Sequence, residues 1–170
     1  MEEEFDAVGV GFDDRGPRLD EMLEVLAKLW SGEVVEGDGP YHAFPPLVFG
    51  GAPEQPPPLV FGGLSRPALR RVATVGSGWF GPNVDLDTTA AARDEIDRRR
   101  AEAGRADLDF EHVVRLHGDL TVDNVFRYEE AGFEHLVISP FNRLGPDAGL
   151  DEKLTSLDDA RRVLDGVWEA

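Results

Sequence analysis

Four times after residue 58 a short apolar run gives way to a turn signal and then to a capped, partly apolar stretch. This repeated order constrains the fold more than any other feature of the chain. Leu59-Val60-Phe61 is the first run, and Ser65 can cap a helix reaching about Val75, with Pro67 tolerated in its first turn. Gly78-Trp79-Phe80 is the second, after which Asp85 or Asp87 can cap a helix through Ala103 that Gly104 stops. That helix carries little beyond Leu86, Ile96 and alanines, so it is expected to be largely exposed. Phe110 to Leu116 reads as the third strand, with Thr121 capping a helix that turns Val122, Val125 and Phe126 inward and ends at Gly132. Leu136-Val137-Ile138 is the fourth, a continuous apolar stretch of the kind buried on both faces. The last helix is expected to open at Ser156-x-x-Asp159, a capping-box pattern, and to carry Leu157, Val163, Leu164 and Trp168.

Strands alternating with helices call for parallel strands joined by right-handed crossovers, so the class is α/β. Four βα units behind a leading helix make either a small open doubly wound sheet or half of a (β/α)8 TIM barrel. A complete barrel takes about 200 residues or more, which exceeds this chain.

The first third of the sequence obeys other rules. Between positions 17 and 30, Leu19, Met22, Leu23, Leu26, Leu29 and Trp30 recur at helical spacing, which predicts a helix with one buried face. Glu33-Val34-Val35-Glu36, the turn signal Gly37-Asp38-Gly39-Pro40, and Tyr41 to Phe44 predict a short hairpin. Seven of the twelve prolines lie from Pro40 to Pro58, which predicts a long loop. Within it Pro45 to Gly51 repeats Pro57 to Gly63 residue for residue; only the second copy leads into a helix, so the first is expected to be a loop segment. The whole reads as one domain over 1–170, with leading helices at 1–32, hairpin and proline-rich loop at 33–58 and the four βα units at 59–170.

Composition narrows the possible functions. The chain has no cysteine, which removes disulfides, thiolate zinc sites, iron–sulfur ligation and cysteine nucleophiles. Seventeen basic against 34 acidic side chains give a formal charge of −17, so nucleic-acid phosphates and anionic lipid should be repelled. The Arg98-Arg99-Arg100 run sits among acids and reads as a solvated helix face. No apolar run approaches about 18 residues, and the start Met1-Glu2-Glu3-Glu4 lacks the basic and apolar segments of a secretory signal. A cytoplasmic address is expected.

The sharpest chemical feature is Leu59-Val60-Phe61-Gly62-Gly63-Leu64-Ser65, a strand running through two glycines into a capped helix. A helix start offers unpaired N–H groups and about half a positive charge, and residues without a Cβ let a phosphate come close. Ser65 can add a hydroxyl and Arg66 a charge; equally, the glycines make a tight turn and Ser65 caps. His117, between Leu116 and Gly118, could serve as acid or base or as a hydrogen-bonded turn residue. Asp85 and Asp87 resemble a catalytic carboxylate pair, but helix capping explains them as well. His42, His112 and His135 share no metal-ligand spacing, and Gly76-Ser77-Gly78 lacks the nucleophile-elbow pattern.

These residues together resemble the C-terminal part of the luciferase-like monooxygenase family, flavin- and F420-dependent oxidoreductases built on a TIM barrel. The resemblance runs from Phe5-Asp6-Ala7-Val8-Gly9-Val10 through Arg15 to Glu21 and Leu29-Trp30-Ser31-Gly32. It is strongest over Pro58 to Ala73 and Gly76-Ser77-Gly78-Trp79-Phe80. It implies that FMN or F420 is held by its phosphate at Phe61, Gly62, Gly63, Leu64 and Ser65, with Phe80 and Asn83 near the pocket mouth. Family members also carry an N-terminal half-barrel that supplies most ring contacts, and the resemblance is confined to the half after it. Catalysis would then need a completed barrel, from a homodimer or a complementary half-barrel chain, because four strands leave two open edges and an apolar inner face. A fold-retaining subunit without turnover is the alternative.

Overall fold

A computed structural model describes residues 1–169 as two compact units, Met1–Pro57 and Pro58 onward. In the first, α1 (Glu2–Ala7) and α2 (Arg15–Leu29) precede a hairpin of β1 (Val34–Asp38) and β2 (Ala43–Val48). The expected buried face of α2 is only half-buried: Leu19, Leu23 and Leu26 are partly covered and Met22 is exposed. What ties α2 to the hairpin is polar. The Glu21 carboxylate accepts from the main-chain N–H of Tyr41 at 3.1 Å and of His42 at 2.6 Å.

The first copy of the repeated heptapeptide is a loop only from Phe49 to Gly51. Its Pro45 to Val48 belong to β2, paired antiparallel with β1. Two adjacent prolines fit there because the register shifts between Val35 and Gly37, so they lie at the irregularity, where few ladder N–H groups are needed. The second copy forms a strand of a parallel sheet. One heptapeptide thus gives four residues to an antiparallel strand and three to a parallel one, and the partner rather than the local sequence decides which.

The second unit holds β3 (Val60–Gly62), α3 (Arg66–Val75), β4 (Gly78–Gly81), α4 (Leu86–Glu102), β5 (Glu111–Arg115), α5 (Val122–Glu130), β6 (His135–Val137) and α6 (Leu150–Trp168). The four strands are parallel and ordered β3-β4-β5-β6. Order in space matches order in sequence, without the reversal of a doubly wound sheet. Trp79, Val114, Leu116 and Leu136 pack with Leu69, Val72, Ala92, Ile96, Tyr128 and Phe133 in one core. Successive strand residues point to opposite faces, so Val60, Phe80, Val113, Arg115 and Val137 occupy the other face, where Val60 and Phe80 are 48% and 38% exposed. Helices on one face and a bare face opposite are the layering of an arc of a (β/α)8 barrel, so the fold is a partial TIM barrel.

Three local expectations are corrected. β6 is not buried on both faces: His135 is exposed and Leu136 and Val137 are half-buried, because β6 is the last strand of the sheet. α6 opens at Gly149, not Ser156; the Glu152 carboxylate accepts from the Gly149 N–H at 2.9 Å, while the Ser156 hydroxyl donates to the Pro140 carbonyl at 2.5 Å. The Arg98 to Arg100 run is only two-thirds a solvated face. Arg98 and Arg99 pair with Glu95, whereas Arg100, one turn beyond buried Ile96, is 3% exposed and bonds the carbonyls of Arg105 and Leu108. α4 itself agrees with its composition, burying only Thr89, Ala92, Ile96 and Arg100.

Candidate functional site

The C-terminal ends of parallel strands are where the turns to the helices expose main-chain groups, and ligands collect there. At the end of β3, Gly63 has φ +100°, which a residue with a side chain adopts at a cost. A Cβ on it would also stand 3.2 Å from the Ala68 Cβ. Beyond Gly62 the nearest atom to an added Cβ is the Phe80 carbonyl oxygen at 3.5 Å, so the strand end keeps room beside its backbone. Ser65 is extended and caps α3: its Oγ accepts from the Ala68 N–H at 3.4 Å, and its carbonyl accepts from the Leu69 N–H at 3.0 Å. Pro67 has no N–H, so the first turn of α3 offers fewer donors than most helix starts. Phe61 and Leu64 pack their side chains against the core, which leaves their main chain at the turn. The turn is anchored from below, where the indole Nε1–H of fully buried Trp79 donates to the Gly63 carbonyl at 3.1 Å.

At the next strand end Phe80 is partly exposed and Asn83 exposed. Asn83 Oδ1 lies 3.2 Å from Nδ1 of His117, just beyond the end of β5. An Nδ1–H donating to this oxygen leaves Nε2 of the neutral ring as an acceptor toward solvent. The main chain under His117 is fixed. Its N–H donates to the Tyr128 hydroxyl at 3.1 Å and its carbonyl accepts from Asn124 Nδ2 at 2.9 Å, while Gly118 turns the chain at φ +84°. Asp85 caps α4, accepting from the N–H of Thr88 at 2.9 Å and from its hydroxyl at 2.7 Å, and these bonds hold its carboxyl below the usual range. Asp85 is thereby committed to the cap rather than to an acid–base pair with Asp87.

At the ends of β5 and β6 a cavity of about 360 Å³ is floored by Leu116, Ile138 and Val163 and rimmed by Ser139, Asn142 and Arg143. Arg143 pairs with Asp119 beside it, which holds the guanidinium more firmly protonated. Arg115 donates from Nη2 to the Ser139 hydroxyl at 2.8 Å. Period-2 alternation along Val113, Arg115 and His117 carried this placement in the sequence, but a single half-polar strand gives no hint of which face is bare. Among the described residues no group of acidic and histidine side chains has the make-up of a metal site, and no helix is long and apolar enough to cross a membrane.

The sequence matches the family described as luciferase-like monooxygenase over residues 1–124. Uncharacterised proteins of Mycobacterium bovis and Mycobacterium tuberculosis are 34% identical over 160 residues, covering 92% of this chain and 54% of theirs. The chain therefore spans about half the length of the curated relatives it matches. Among solved structures it is similar to the coenzyme F420 dependent tetrahydromethanopterin reductase of Methanopyrus kandleri, with TM-score 0.61 and 15% identity over 93% of this chain and 64% of the reductase. It is also similar to DmoA of Hyphomicrobium sulfonivorans, with TM-score 0.51 and 18% identity over 91% of this chain and 44% of that one. At these identities the two structures share its fold.

Proposed function

The chain belongs to the luciferase-like monooxygenase family, and from that premise we propose that it is a flavin-type oxidoreductase module holding FMN or F420 by its phosphate at Gly62-Gly63-Leu64-Ser65. One observation carries the reading: a glycine turn with positive φ leads from a C-terminal strand edge straight into a helix start, with space left beside Gly62 where a Cβ would otherwise stand. The main chain of Phe61 to Ser65 would hold the phosphate, and Phe80 and Asn83 would border the path toward the ring. Hydride or oxygen chemistry is supplied by the cofactor once bound; the residues here position and shield. The similar reductase is F420 dependent, and the family is one of monooxygenases, so both cofactors belong in the test.

The two outer strands, β3 and β6, each pair on one side only, and Val60 and Phe80 stand exposed on the bare face. This supports completion of the barrel by further strands, whether from a second copy or from a complementary half-barrel chain. It also favours the second reading, a fold-retaining subunit that binds without turnover. Titration of the protein with FMN and with F420, monitored by absorbance between about 370 and 450 nm and by fluorescence, separates them. Saturable binding abolished by Gly63→Asp supports the phosphate site; binding without reduction by any added reductant favours the second reading, and no binding ends the first.

A further inference from the structure

We propose that Arg115 forms a second oxyanion subsite, for a carboxylate or phosphate group, apart from the Gly62 to Ser65 turn. The chain carries twice as many acids as bases, and most of its arginines pair with carboxylates or main-chain carbonyls. Arg115 does neither. Among the described residues its one hydrogen bond runs from Nη2 to the neutral Ser139 hydroxyl at 2.8 Å, although the side chain is half-buried. A guanidinium has five N–H donors in a planar fork, and one set off from water usually finds an anion.

Position gives the uncompensated charge its meaning. Arg115 pairs in register with Val137 and lies two residues beyond Val113, so it shares the helix-free face of the sheet with Phe80. His117 comes two residues later, its Nδ1 3.2 Å from Asn83 Oδ1; with Nδ1–H donating there the neutral ring has no second N–H to offer an anion, so the Arg115 fork carries the subsite. Asp119, in the turn beyond β5, is paired with Arg143, which offsets the repulsion its carboxylate would present to an incoming anion. Two strand spacings of about 4.8 Å separate β3 from β5. The subsite thus stands roughly 10 Å from the glycine turn, too far for one phosphate to use both. The oxyanion comes either from the carboxylate tail that F420, unlike FMN, carries beyond its phosphate or from the organic substrate, and the fork recognises the same chemistry in each case.

The subsite does not depend on the phosphate reading, and its test keeps them apart. ¹H–¹⁵N spectra of the full chain, recording the Arg115 Nε–H, the Val114 to His117 amides and the Gly62 to Ser65 amides, are collected during titration with acetate, inorganic phosphate, FMN and F420 in turn. Acetate and phosphate are expected to shift the Arg115 signal saturably. Arg115→Met should abolish the accompanying shifts of the Val114 to His117 amides while leaving the Gly63 response intact, Arg115→Lys should retain them with affinity reduced roughly tenfold, and His117→Gln should leave them unchanged. A shift at Arg115 with F420 that FMN does not produce assigns the oxyanion to the cofactor's carboxylate tail; a shift with acetate and phosphate but with neither cofactor assigns it to the substrate. Failure at Gly63 with success at Arg115 overturns only the phosphate site. No saturable change at Arg115 Nε–H, or a change at β5 that survives in Arg115→Met with its fold intact, overturns the subsite.

Discussion

The indole nitrogen of Trp79 donates a 3.1 Å hydrogen bond to the carbonyl of Gly63, so the second strand of the sheet holds the glycine turn at the end of the first. Trp79 is fully buried, and this bond is how its one polar group is satisfied. The same contact fixes the peptide in which Gly63 adopts its positive φ.

Trp79→Phe keeps most of the buried ring and removes only the donor. The Gly63 carbonyl loses its partner, and stability should fall by about 1 to 3 kcal/mol, most of it from the smaller ring and the orphaned carbonyl. Urea denaturation gives the stability. The companion measurement is FMN or F420 affinity, expected to weaken because the turn is no longer held; an unchanged affinity would separate the turn from the cofactor.

Neighbouring glycines should respond differently to the same methyl group. Gly63→Ala forces a side chain into positive φ and against the Ala68 Cβ at 3.2 Å, costing about 1 to 2 kcal/mol. Gly62→Ala meets nothing nearer than 3.5 Å and should leave thermal stability within about 0.5 kcal/mol. Its methyl nonetheless stands where the phosphate is proposed to approach. Gly62→Ala is therefore the cleaner probe of binding, expected to weaken cofactor affinity at least tenfold in a protein that melts like the parent.

The order of elements in the second unit was legible because each helix announces its own start: Ser65, Asp85 and Thr121 all cap as their spacing implied. Ser156 misled because its hydroxyl has a competing acceptor in the Pro140 carbonyl, a contact between segments 16 residues apart that no local pattern encodes. The strand in β2 was hidden by Pro45 and Pro46, whose missing N–H groups matter only where a ladder needs them, and the register shift there removes the need. At the site, Gly62 to Ser65 could be read directly, since glycine and a cap residue carry their conformation with them. Arg115 could be placed at the ligand edge of the third strand, but its role could not, because that depends on which sheet face the helices leave bare and on the absence of a carboxylate beside it.

Arg100 lies in a basic run, yet it behaves as a core residue. Its Nη2 donates to the carbonyls of Arg105 and Leu108, both at 2.8 Å, and its guanidinium stacks 4.0 Å from the Phe110 ring centroid. Arg100→Met fills similar volume but orphans two carbonyls in the connection between α4 and β5. Destabilisation of about 2 to 4 kcal/mol is expected, whereas Arg98→Met, whose partners are exposed carboxylates, should cost less than about 1 kcal/mol. Parallel denaturation curves of the two variants check the contrast.

His112 gives the unit a dependence on pH. The ring sits edge-on to Phe110 and Trp79, at 4.9 and 6.2 Å between centroids, and its Nδ1 is buried without a partner. Burial pushes its pKa below the ordinary 6.5, and the Asp97 carboxylate, 3.2 Å from Nε2, offsets this only in part. Between the lowered folded value and 6.5 the unfolded chain binds a proton that the folded chain does not, so stability rises with pH across that window and is lost as pH falls through it. His112→Leu removes the titration along with the unpaired nitrogen. Melting temperatures measured from about pH 7.5 down to about 5 should therefore decline less steeply in His112→Leu than in the parent. Parallel declines would mean that the proton is taken up elsewhere, and a steeper decline in the variant would reverse the sign and place the folded pKa above the unfolded one, with Asp97 outweighing burial.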